Sequence, residues 1–216
     1  MADTTKSIFF DNPFQQSLKW GKPFLIDRFG KEKALALNHS MEEIYQELRP
    51  RLPQMKTKTA KQLLIYAIRS YVLYRAIQDE MEQEEAFDLI TDYGKAVLDV
   101  EWIEGFSPIV RATLKNRFLF PKVTQLVREK MNQSNDPNGW QYEFFKPESG
   151  HLLDFNVTRC GMLKFLDNQG IPELTDVICR LDYHMAENFY PKCAKLVRTK
   201  TIAEGAEYCD FRYIKR

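Results

Sequence analysis

The stretch "WQYEFFKPESGHLLDFNV" (Trp140–Val157) decides the fold, because the sequence pattern changes there from helical to extended. Its first part, "WQYEFFK", alternates and is rich in aromatic residues, as a half-buried strand is. "GHLLDFNV" is typical of a partner strand, and "PESG" (Pro147–Gly150) is a turn between the two. The sequence therefore predicts an antiparallel strand pair that begins at about Gly139.

Two helices and a second strand pair are predicted to follow. The helical segments are "TRCGMLKFLDNQ" (Thr158–Gln169) and "PELTDVICRLDYHMAENFY" (Pro172–Tyr190). The second strand pair consists of "AKLVRTKT" (Ala194–Thr201) and "EYCDFRYI" (Glu207–Ile214). Residues 139–216 should therefore fold as ββααββ.

Residues 31–135 carry helical patterns instead. Apolar residues recur at helical spacing around residues 37–48, 64–72 and 84–100. Ser107 and Pro108 mark the start of a further helix, and Pro121 should break or bend it. Helices packed on one face of an antiparallel sheet make an α+β domain. We predict a helical N-terminal half packed with a C-terminal ββααββ antiparallel-sheet half.

Residues 1–30 are the least regular part of the sequence. Their aromatic residues show no clear periodicity: Phe9, Phe10, Phe14, Trp20, Phe24 and Phe29. Because exposing them all to water would invite aggregation, we predict an N-terminal extension that packs on the rest of the chain or on a neighbouring subunit. Residues 31–216 then form a single domain, and a homo-oligomer joined through the extension is one predicted assembly.

The composition narrows the range of partners and compartments. The 216 residues include 31 basic and 30 acidic side chains, so no overall field draws the chain to nucleic acid or to an anionic membrane. We expect a small-molecule partner, no nucleic acid and no membrane. The start lacks a signal-peptide core, and the apolar runs are far shorter than the roughly 18 residues of a membrane span, which favours a cytoplasmic protein.

The cysteines fit that compartment. They stand at positions 160, 179, 193 and 209, without a Cys-x-x-Cys or His-x-His pair, so neither a disulfide framework nor a zinc site is favoured. Phosphate-loop, Rossmann, Gly-x-Ser-x-Gly and His-Glu-x-x-His motifs are also missing from the sequence. We expect reduced thiols, no metal and no cofactor.

Cys160 is the first candidate for chemistry. If Thr158 caps the following helix, Cys160 lies in its first turn, where free N–H groups and the positive end of the helix dipole stabilise a thiolate. The neighbouring Arg159 adds positive charge. The alternative is that Cys160 is a small buried hydrophobic residue, as most free cysteines are.

Asp182 is the second candidate. Its neighbours around the predicted last helix are largely apolar, with Phe189, Ala186 and Cys179 on the same side. A carboxylate buried there must be paired, protonated or functional, because burying an unpaired charge is costly. A salt bridge to an arginine of the sheet, such as Arg198, is the structural alternative, and both stay open at this point.

The last predicted strand presents two sets of side chains. Cys209, Phe211 and Tyr213 face one way, and Asp210 and Arg212 face the other. One interpretation pairs the two charged residues with the neighbouring strand. The functional interpretation places Cys209 or Asp210 at a pocket where the sheet meets the helices.

Together these residues resemble the L-2-amino-thiazoline-4-carboxylic acid hydrolase family. The resemblance rests on a cysteine that opens a helix (Cys160), an aspartate in the next helix (Asp182), and a strand with Arg198 and Thr201. A closing Gly-x-x-x-Cys-Asp-Phe (Gly205–Phe211) completes it. The ββααββ half carries the resemblance, and the helical half is compatible with it.

The resemblance implies a hydrolase that acts on a non-peptide C–N bond and opens a cyclic isothiourea. Water at the amidine-like carbon would yield a carbamoylated cysteine. Cys160 would be the nucleophile, and Asp182 would protonate the ring nitrogen or hold its cationic form. Arg198 would bind the substrate carboxylate. The remaining candidate substrate-binding residues are Thr201, Cys209 and Asp210.

A rival function comes from a second resemblance. A helical half followed by a ββααββ half that ends in Gly-x-x-x-Cys-x-Phe is also similar to the 4-vinyl-reductase-type ligand-binding domains, which bind small apolar molecules as sensors. Cys160 and Cys209 would then be core or zinc-associated residues, without any nucleophile. A third alternative is an oligomeric scaffold built on the aromatic N-terminus.

Overall fold

The computed structural model describes residues 8–216, with side chains from Phe10 onward. The first part of this range is helical: α1 (Ile8–Phe29), α2 (Lys31–Leu48), α3 (Lys58–Ile77), α4 (Gln83–Gly105), α5 (Pro108–Lys115) and α6 (Phe120–Asn132). The second part combines strands with helices: β1 (Gln141–Phe145), β2 (His151–Arg159), α7 (Gly161–Asn168), α8 (Leu174–Cys179), α9 (Leu181–Phe189), β3 (Ala194–Val197) and β4 (Cys209–Lys215). The predicted α+β fold is confirmed.

The residues that begin helices in the helical half have the roles that their chemistry predicts. Ser107 caps α5 by accepting a hydrogen bond from the backbone N–H of Val110, and Pro108 occupies the first helical position. Pro121 lies in the first turn of α6, where its missing N–H costs nothing. The predicted break at Pro121 is thus a boundary between two helices. In residues 8–216 no helix combines the length and the apolar character needed to cross a membrane.

The aromatic residues near the N-terminus belong to a helix. The side chains of Phe14 and Leu25 in α1 are fully buried, in the same hydrophobic cluster as residues of α2, α3 and α4. Phe14 stacks on Tyr45 of α2, with ring centroids 4.0 Å apart. Residues 1–7 and the side chain of Phe9 lie outside the described part. The division into an extension and a single domain, and the subunit contact, stay predictions.

The sheet has the strand order β1-β2-β4-β3, and every neighbouring pair is antiparallel. Phe155 of β2 lies opposite Phe211 of β4, and their rings stack with centroids 4.8 Å apart. Tyr142 of β1 and Tyr213 of β4 belong to the same aromatic face. This face receives the helices, and it forms one wall of the cavity described below.

Thr158 does not cap a helix, so that prediction is wrong. β2 continues to Arg159, which pairs with Gln141 of β1, and Thr158 therefore has strand geometry. The N-cap of α7 is Cys160 itself, whose Sγ accepts a hydrogen bond from the backbone N–H of Leu163 at 3.5 Å. The thiol consequently lies at the helix start, but one residue before its first turn.

The long helix predicted over residues 172–190 is divided into α8 and α9. The interruption falls at Arg180, where the backbone N–H of Tyr183 bonds to the Arg180 carbonyl, three residues back instead of four. α9 starts immediately afterwards. The break therefore places Asp182 in the first turn of α9.

Candidate functional site

A cavity of about 240 Å³ lies between the sheet and α6. The strands supply Tyr142, Leu153, Phe155, Val157, Phe211 and Tyr213 to its wall. α6 supplies Phe120, Val123, Thr124, Val127 and Met131. Val127 is also 38 % exposed, which indicates that the cavity reaches the surface beside this helix. A mainly apolar cavity of this size suits a small molecule.

Among the described residues that line the cavity, Asp182 is the one with a charged side chain. About 28 % of its side chain is exposed, and this exposed part meets an apolar cavity instead of bulk water. Burial therefore raises the pKa of the Asp182 carboxyl above its ordinary value, although the Arg198 guanidinium acts in the opposite direction. A carboxyl of this kind can exchange a proton closer to neutral pH than an ordinary aspartate can.

Arg198 holds one side of this carboxylate. Its Nη1 lies 2.7 Å from Asp182 Oδ2, and its Nη2 donates to the backbone carbonyl of Cys179 at 3.0 Å. The guanidinium also lies over the rings of Tyr183 and Phe211, about 5 Å from each centroid. Burial disfavours the charged form of Arg198, but Asp182 together with Cys179 and Tyr183 outweighs this effect and raises the pKa of the guanidinium. The salt bridge considered from the sequence is confirmed.

Cys160 lies near the cavity, but it is not part of the described wall. Met162, two residues further along α7, does line the cavity. Burial raises the pKa of the Cys160 thiol to about 11, against the backbone N–H groups of Leu163 and Met162, which stabilise the thiolate. The expectation of a lowered pKa is therefore wrong. The helix start does act on the thiolate in the expected direction, but burial has the larger effect.

Cys160, Cys179 and Cys209 form a group of thiols around Asp182. Burial is the main cause of the raised pKa of each thiol, and the negative charge of Asp182 raises it further. The structure thus brings together four of the predicted residues, Cys160, Asp182, Arg198 and Cys209. All the cysteines are free, and the described residues contain no group of three or more side chains arranged to bind a metal ion.

The other predicted substrate-binding residues make hydrogen bonds within the connection between β3 and β4. Thr201 caps the short 3-10 helix Ile202–Glu204 through the backbone N–H of Glu204. The Asp210 carboxylate accepts hydrogen bonds from both the backbone N–H and the hydroxyl of Thr199, and from the backbone N–H of Lys200. Cys209 Sγ accepts one from the backbone N–H of Ile202 at 3.1 Å. A substrate-binding role for Thr201, Cys209 and Asp210 stays a prediction.

Sequence reasoning missed the wall opposite the sheet. Tyr190, which follows α9, lines the cavity, and its ring centroid lies 6.1 Å from that of Tyr213 on the sheet side. The residues of α6 that line it recur three or four positions apart, from Phe120 to Met131. This spacing is a helical signal that marks a buried face, but it does not show whether that face meets a core or a cavity.

The chain was compared with known proteins. A family model described as L-2-amino-thiazoline-4-carboxylic acid hydrolase matches residues 57–213. No curated protein matches the chain.

The solved structures that are similar to it include an H-NOX protein and a mutant of that protein. The crystal structure of the Fe(II) unliganded H-NOX protein from K. algicida is 16 % identical, with 98 % of this chain and 96 % of that chain covered and a TM-score of 0.43. A mutant of that protein is 13 % identical, with 93 % and 95 % covered and a TM-score of 0.42.

The family match extends from the start of α3 to the last strand, and so includes Asp182, Arg198, the thiols and the whole cavity wall. It also covers well over half of the sequence. The chain therefore belongs to the L-2-amino-thiazoline-4-carboxylic acid hydrolase family.

Proposed function

We propose that the protein is a hydrolase that adds water at the amidine-like carbon of a small cyclic substrate, opening a C–N bond to give a ring-opened carbamoyl compound. Family membership supports hydrolysis of this general kind. The observation that carries the proposal is Asp182, a carboxylate with a raised pKa in the wall of an otherwise uncharged cavity. A proton donor and acceptor in that position is what opening a C–N bond requires.

Asp182 has one oxygen free for this task. Arg198 binds Oδ2, and no hydrogen bond to Oδ1 is formed by the described residues. Oδ1 can therefore accept a hydrogen bond from a ring or amidine nitrogen of the substrate. When the carboxyl is protonated, the same atom can give its proton to that nitrogen as the C–N bond breaks.

Cys160 is the proposed nucleophile. Because the pKa of its thiol is about 11, the group is protonated at neutral pH and must lose its proton as it reacts. In the first step Sγ bonds to the amidine-like carbon, Asp182 gives its proton to the ring nitrogen as the C–N bond breaks, and the thiol proton replaces it on Asp182. In the second step water bonds to the same carbon and Sγ leaves as the thiol. The sum is the addition of one water molecule to the substrate.

Turnover of 2-amino-thiazoline-4-carboxylate and of 2-amino-thiazoline, followed by mass spectrometry as the gain of one water, tests the proposal. We expect Asp182→Asn and Cys160→Ser to lower kcat by at least a hundredfold. Asp176→Asn, at an exposed ion pair with Arg180, should keep wild-type turnover. Full activity in Cys160→Ser would exclude the thiol as the nucleophile, and no turnover of either compound by the wild-type protein would count against hydrolysis.

The second candidate function is small-molecule binding without catalysis. It is favoured by the apolar and aromatic cavity wall and by the position of the Cys160 thiol outside that wall. A ligand would then raise the unfolding temperature of the protein and be recovered unchanged. Product formation that depends on Asp182 would decide in favour of the hydrolase.

A further inference from the structure

We propose that the cavity takes an apolar ring compound that carries amidine or amine N–H donors and no anionic group. This inference rests on the proposed function, because it names the substrate class of the same cavity. It departs from a substrate with a carboxylate, for which Arg198 was the predicted partner.

The charges around the cavity carry the first part of the argument. The described wall contains no lysine, arginine or histidine, and its one charged group is the Asp182 carboxylate. Its tyrosine hydroxyls stay neutral, because burial raises the pKa of Tyr190 to about 12 and that of Tyr213 well above its ordinary value. A ligand carboxylate would therefore be buried beside a negative charge without a cation to balance it, which is costly.

Arg198 is not available as that cation. Its side chain is only 4 % exposed, and its two terminal nitrogens bond to Asp182 and to the carbonyl of Cys179. The Phe211 ring, which lines the cavity, also lies beside the guanidinium. Its Nε has no hydrogen-bond partner among the described residues, but this atom is fully buried and Arg198 does not line the cavity. Moving the guanidinium to a ligand would therefore break the salt bridge and leave Asp182 unpaired.

The shape and chemistry of the wall carry the second part. Asp182 Oδ1 accepts hydrogen bonds only, so it selects a ligand group with N–H or O–H donors. Phe155 and Phe211 present stacked rings on the sheet side, and Phe120 and Tyr190 form a tilted aromatic pair, with ring centroids 5.1 Å apart. Aromatic rings on both sides of a cavity favour a planar ring, which can pack against their edges or faces.

Calorimetric binding of matched probes tests this inference. Benzamidine and benzoate have the same ring and differ in the sign of their charge, and 2-amino-thiazoline differs from 2-amino-thiazoline-4-carboxylate only by the anionic group. We expect benzamidine to bind at least tenfold more tightly than benzoate. We expect the same preference for 2-amino-thiazoline over 2-amino-thiazoline-4-carboxylate. Asp182→Asn should remove most of this preference, whereas Asp176→Asn should keep it.

Binding and turnover are read separately, so the two proposals can fail independently. Equal or tighter binding of benzoate and of the 4-carboxylate would overturn the inference even if hydrolysis occurs. Selective amidine binding without any product would keep the inference and reject the hydrolase. Selectivity that survives in Asp182→Asn would also overturn it, because the carboxylate would not be the selecting group.

A second inference concerns the outer surface of α5 and α6, which we define as the exposed side chains between Ile103 and Val127. Eight of the ten exposed large apolar side chains in the described part lie in this segment, and Ile109 and Phe118 are 79 % and 76 % exposed. Residues 103–127 also carry four basic side chains and one acidic one, although the whole chain has a net charge of only +1. The even overall balance conceals a local positive excess.

We propose that this α5–α6 surface docks on an anionic lipid bilayer. Helices that expose apolar side chains among basic ones bind the interface of anionic membranes, with the apolar groups among the lipid headgroups. Lys115, Arg117 and Lys122 lie in sequence on either side of the exposed Phe118 and Leu119, so both kinds of contact come from one place. A second copy of the chain would fit less well, because two such surfaces repel one another.

Sedimentation with phosphatidylcholine vesicles, with and without one quarter phosphatidylserine, tests the docking. We expect binding only to the anionic vesicles, and a loss of at least tenfold in affinity for Phe118→Ser/Leu126→Ser and for Lys115→Glu/Arg117→Glu. Lys164→Glu, on the distant α7, should bind like wild type. Equal binding to neutral vesicles, no binding to either kind, or a dimer in light scattering that Phe118→Ser/Leu126→Ser dissociates would each overturn the proposal.

Discussion

Arg198 Nη1 lies 2.7 Å from Asp182 Oδ2, and this contact joins the first turn of α9 to the end of β3 at the base of the cavity. Arg198 balances the negative charge at Oδ2 of the carboxylate, and Oδ1 stays available to a ligand in the cavity. The pair thereby combines a structural role with a chemical one. Sequence reasoning had treated these two roles of Asp182 as alternatives.

Breaking this pair should destabilise the protein. Arg198→Met leaves the Asp182 carboxylate without its guanidinium, and we expect the free energy of unfolding to fall by about 3 kcal/mol. The pKa of Asp182 should rise further, because the effect that opposes burial is lost. Urea denaturation of the variant measures the first change.

Two comparisons make that measurement specific. Arg180→Met breaks the exposed pair with Asp176 and should change stability by less than about 0.5 kcal/mol. Arg198→Met/Asp182→Asn should recover part of the lost stability. Equal losses in the two single variants would show that the Arg198 pair has no special role.

The Cys160 thiol should react slowly with alkylating reagents. With a pKa of about 11 instead of about 8.5, its thiolate fraction at pH 8 is about 200-fold lower than that of a free cysteine. Iodoacetamide labelling between pH 7 and 11, followed peptide by peptide, measures this difference. The urea-unfolded chain provides the reference rate. A labelling midpoint below pH 8.5 in the folded protein would contradict the expected pKa.

Asp210 should contribute to stability at neutral pH. Burial acts against its charged form, but the hydrogen bonds from Thr199 and Lys200 outweigh it and lower the pKa of the carboxyl below its ordinary 3.8. Such a group stabilises the fold above pH 3.8, and this contribution is lost as the pH falls through the lowered value. We expect Asp210→Ala to cost about 3 kcal/mol at pH 7 and less at pH 3.

Thermal unfolding at both pH values checks this expectation, with Asp176→Ala as an exposed comparison. A loss that does not shrink on acidification would mean that the hydrogen bonds do not depend on the charged carboxylate. Normal stability combined with lost ligand binding would instead favour the substrate-binding role of Asp210 predicted from the sequence.

The start of α7 should not tolerate an added methyl group. A Cβ at Gly161 would lie 2.9 Å from the backbone Cα of Gly139 and from the ring of Trp140, so either the segment before β1 or the helix must move. We expect Gly161→Ala to cost about 2 kcal/mol. Gly105→Ala, whose Cβ would meet only Glu101 Cγ at 3.7 Å, should be neutral or stabilising by up to about 1 kcal/mol. Chemical denaturation of the two variants compares them directly.

Local sequence signals were sufficient where one residue decides the backbone. Ser107, Pro108 and Pro121 set helix boundaries through their own hydrogen bonds and ring geometry, and these boundaries were predicted. The alternation in β1 and the turn residues after it likewise predicted the strand pair, because side chains of a half-buried strand alternate between two environments.

The sequence-based predictions failed where contacts with residues distant in the sequence determine the backbone structure. Thr158 has the chemistry of a cap, but pairing with β1 extends the strand to Arg159. The interruption at Arg180 has no glycine or proline to announce it. Periodicity in α1 was hidden by Pro13 and Pro23 within the helix. In each case packing against other elements outweighs the local preference.

The sequence indicated that certain residues of the candidate site lie together, but it did not indicate how their charges and pKa values balance. Family resemblance indicated Cys160, Asp182 and Arg198 together, and the structure brings them close. The pKa of a thiol, however, depends on the difference between burial and hydrogen bonding, and a sequence gives neither quantity. A pocket where the sheet meets the helices was one interpretation of the sequence, but the side chains that line it were not predicted. α6 bounds the cavity, and it lies in a different part of the sequence from the strands opposite it.

Trp140 lies in the wall of the cavity and is only 3 % exposed. Its indole is therefore an intrinsic optical probe of the site, whose emission should change in intensity and wavelength when a ligand replaces solvent next to the ring. Trp102 stacks on Phe189 with centroids 4.5 Å apart, and Trp20 donates to Glu104, so both lie outside the described wall. Replacing these two by phenylalanine would leave a single fluorophore, with which unlabelled compounds can be screened for binding without knowledge of the substrate.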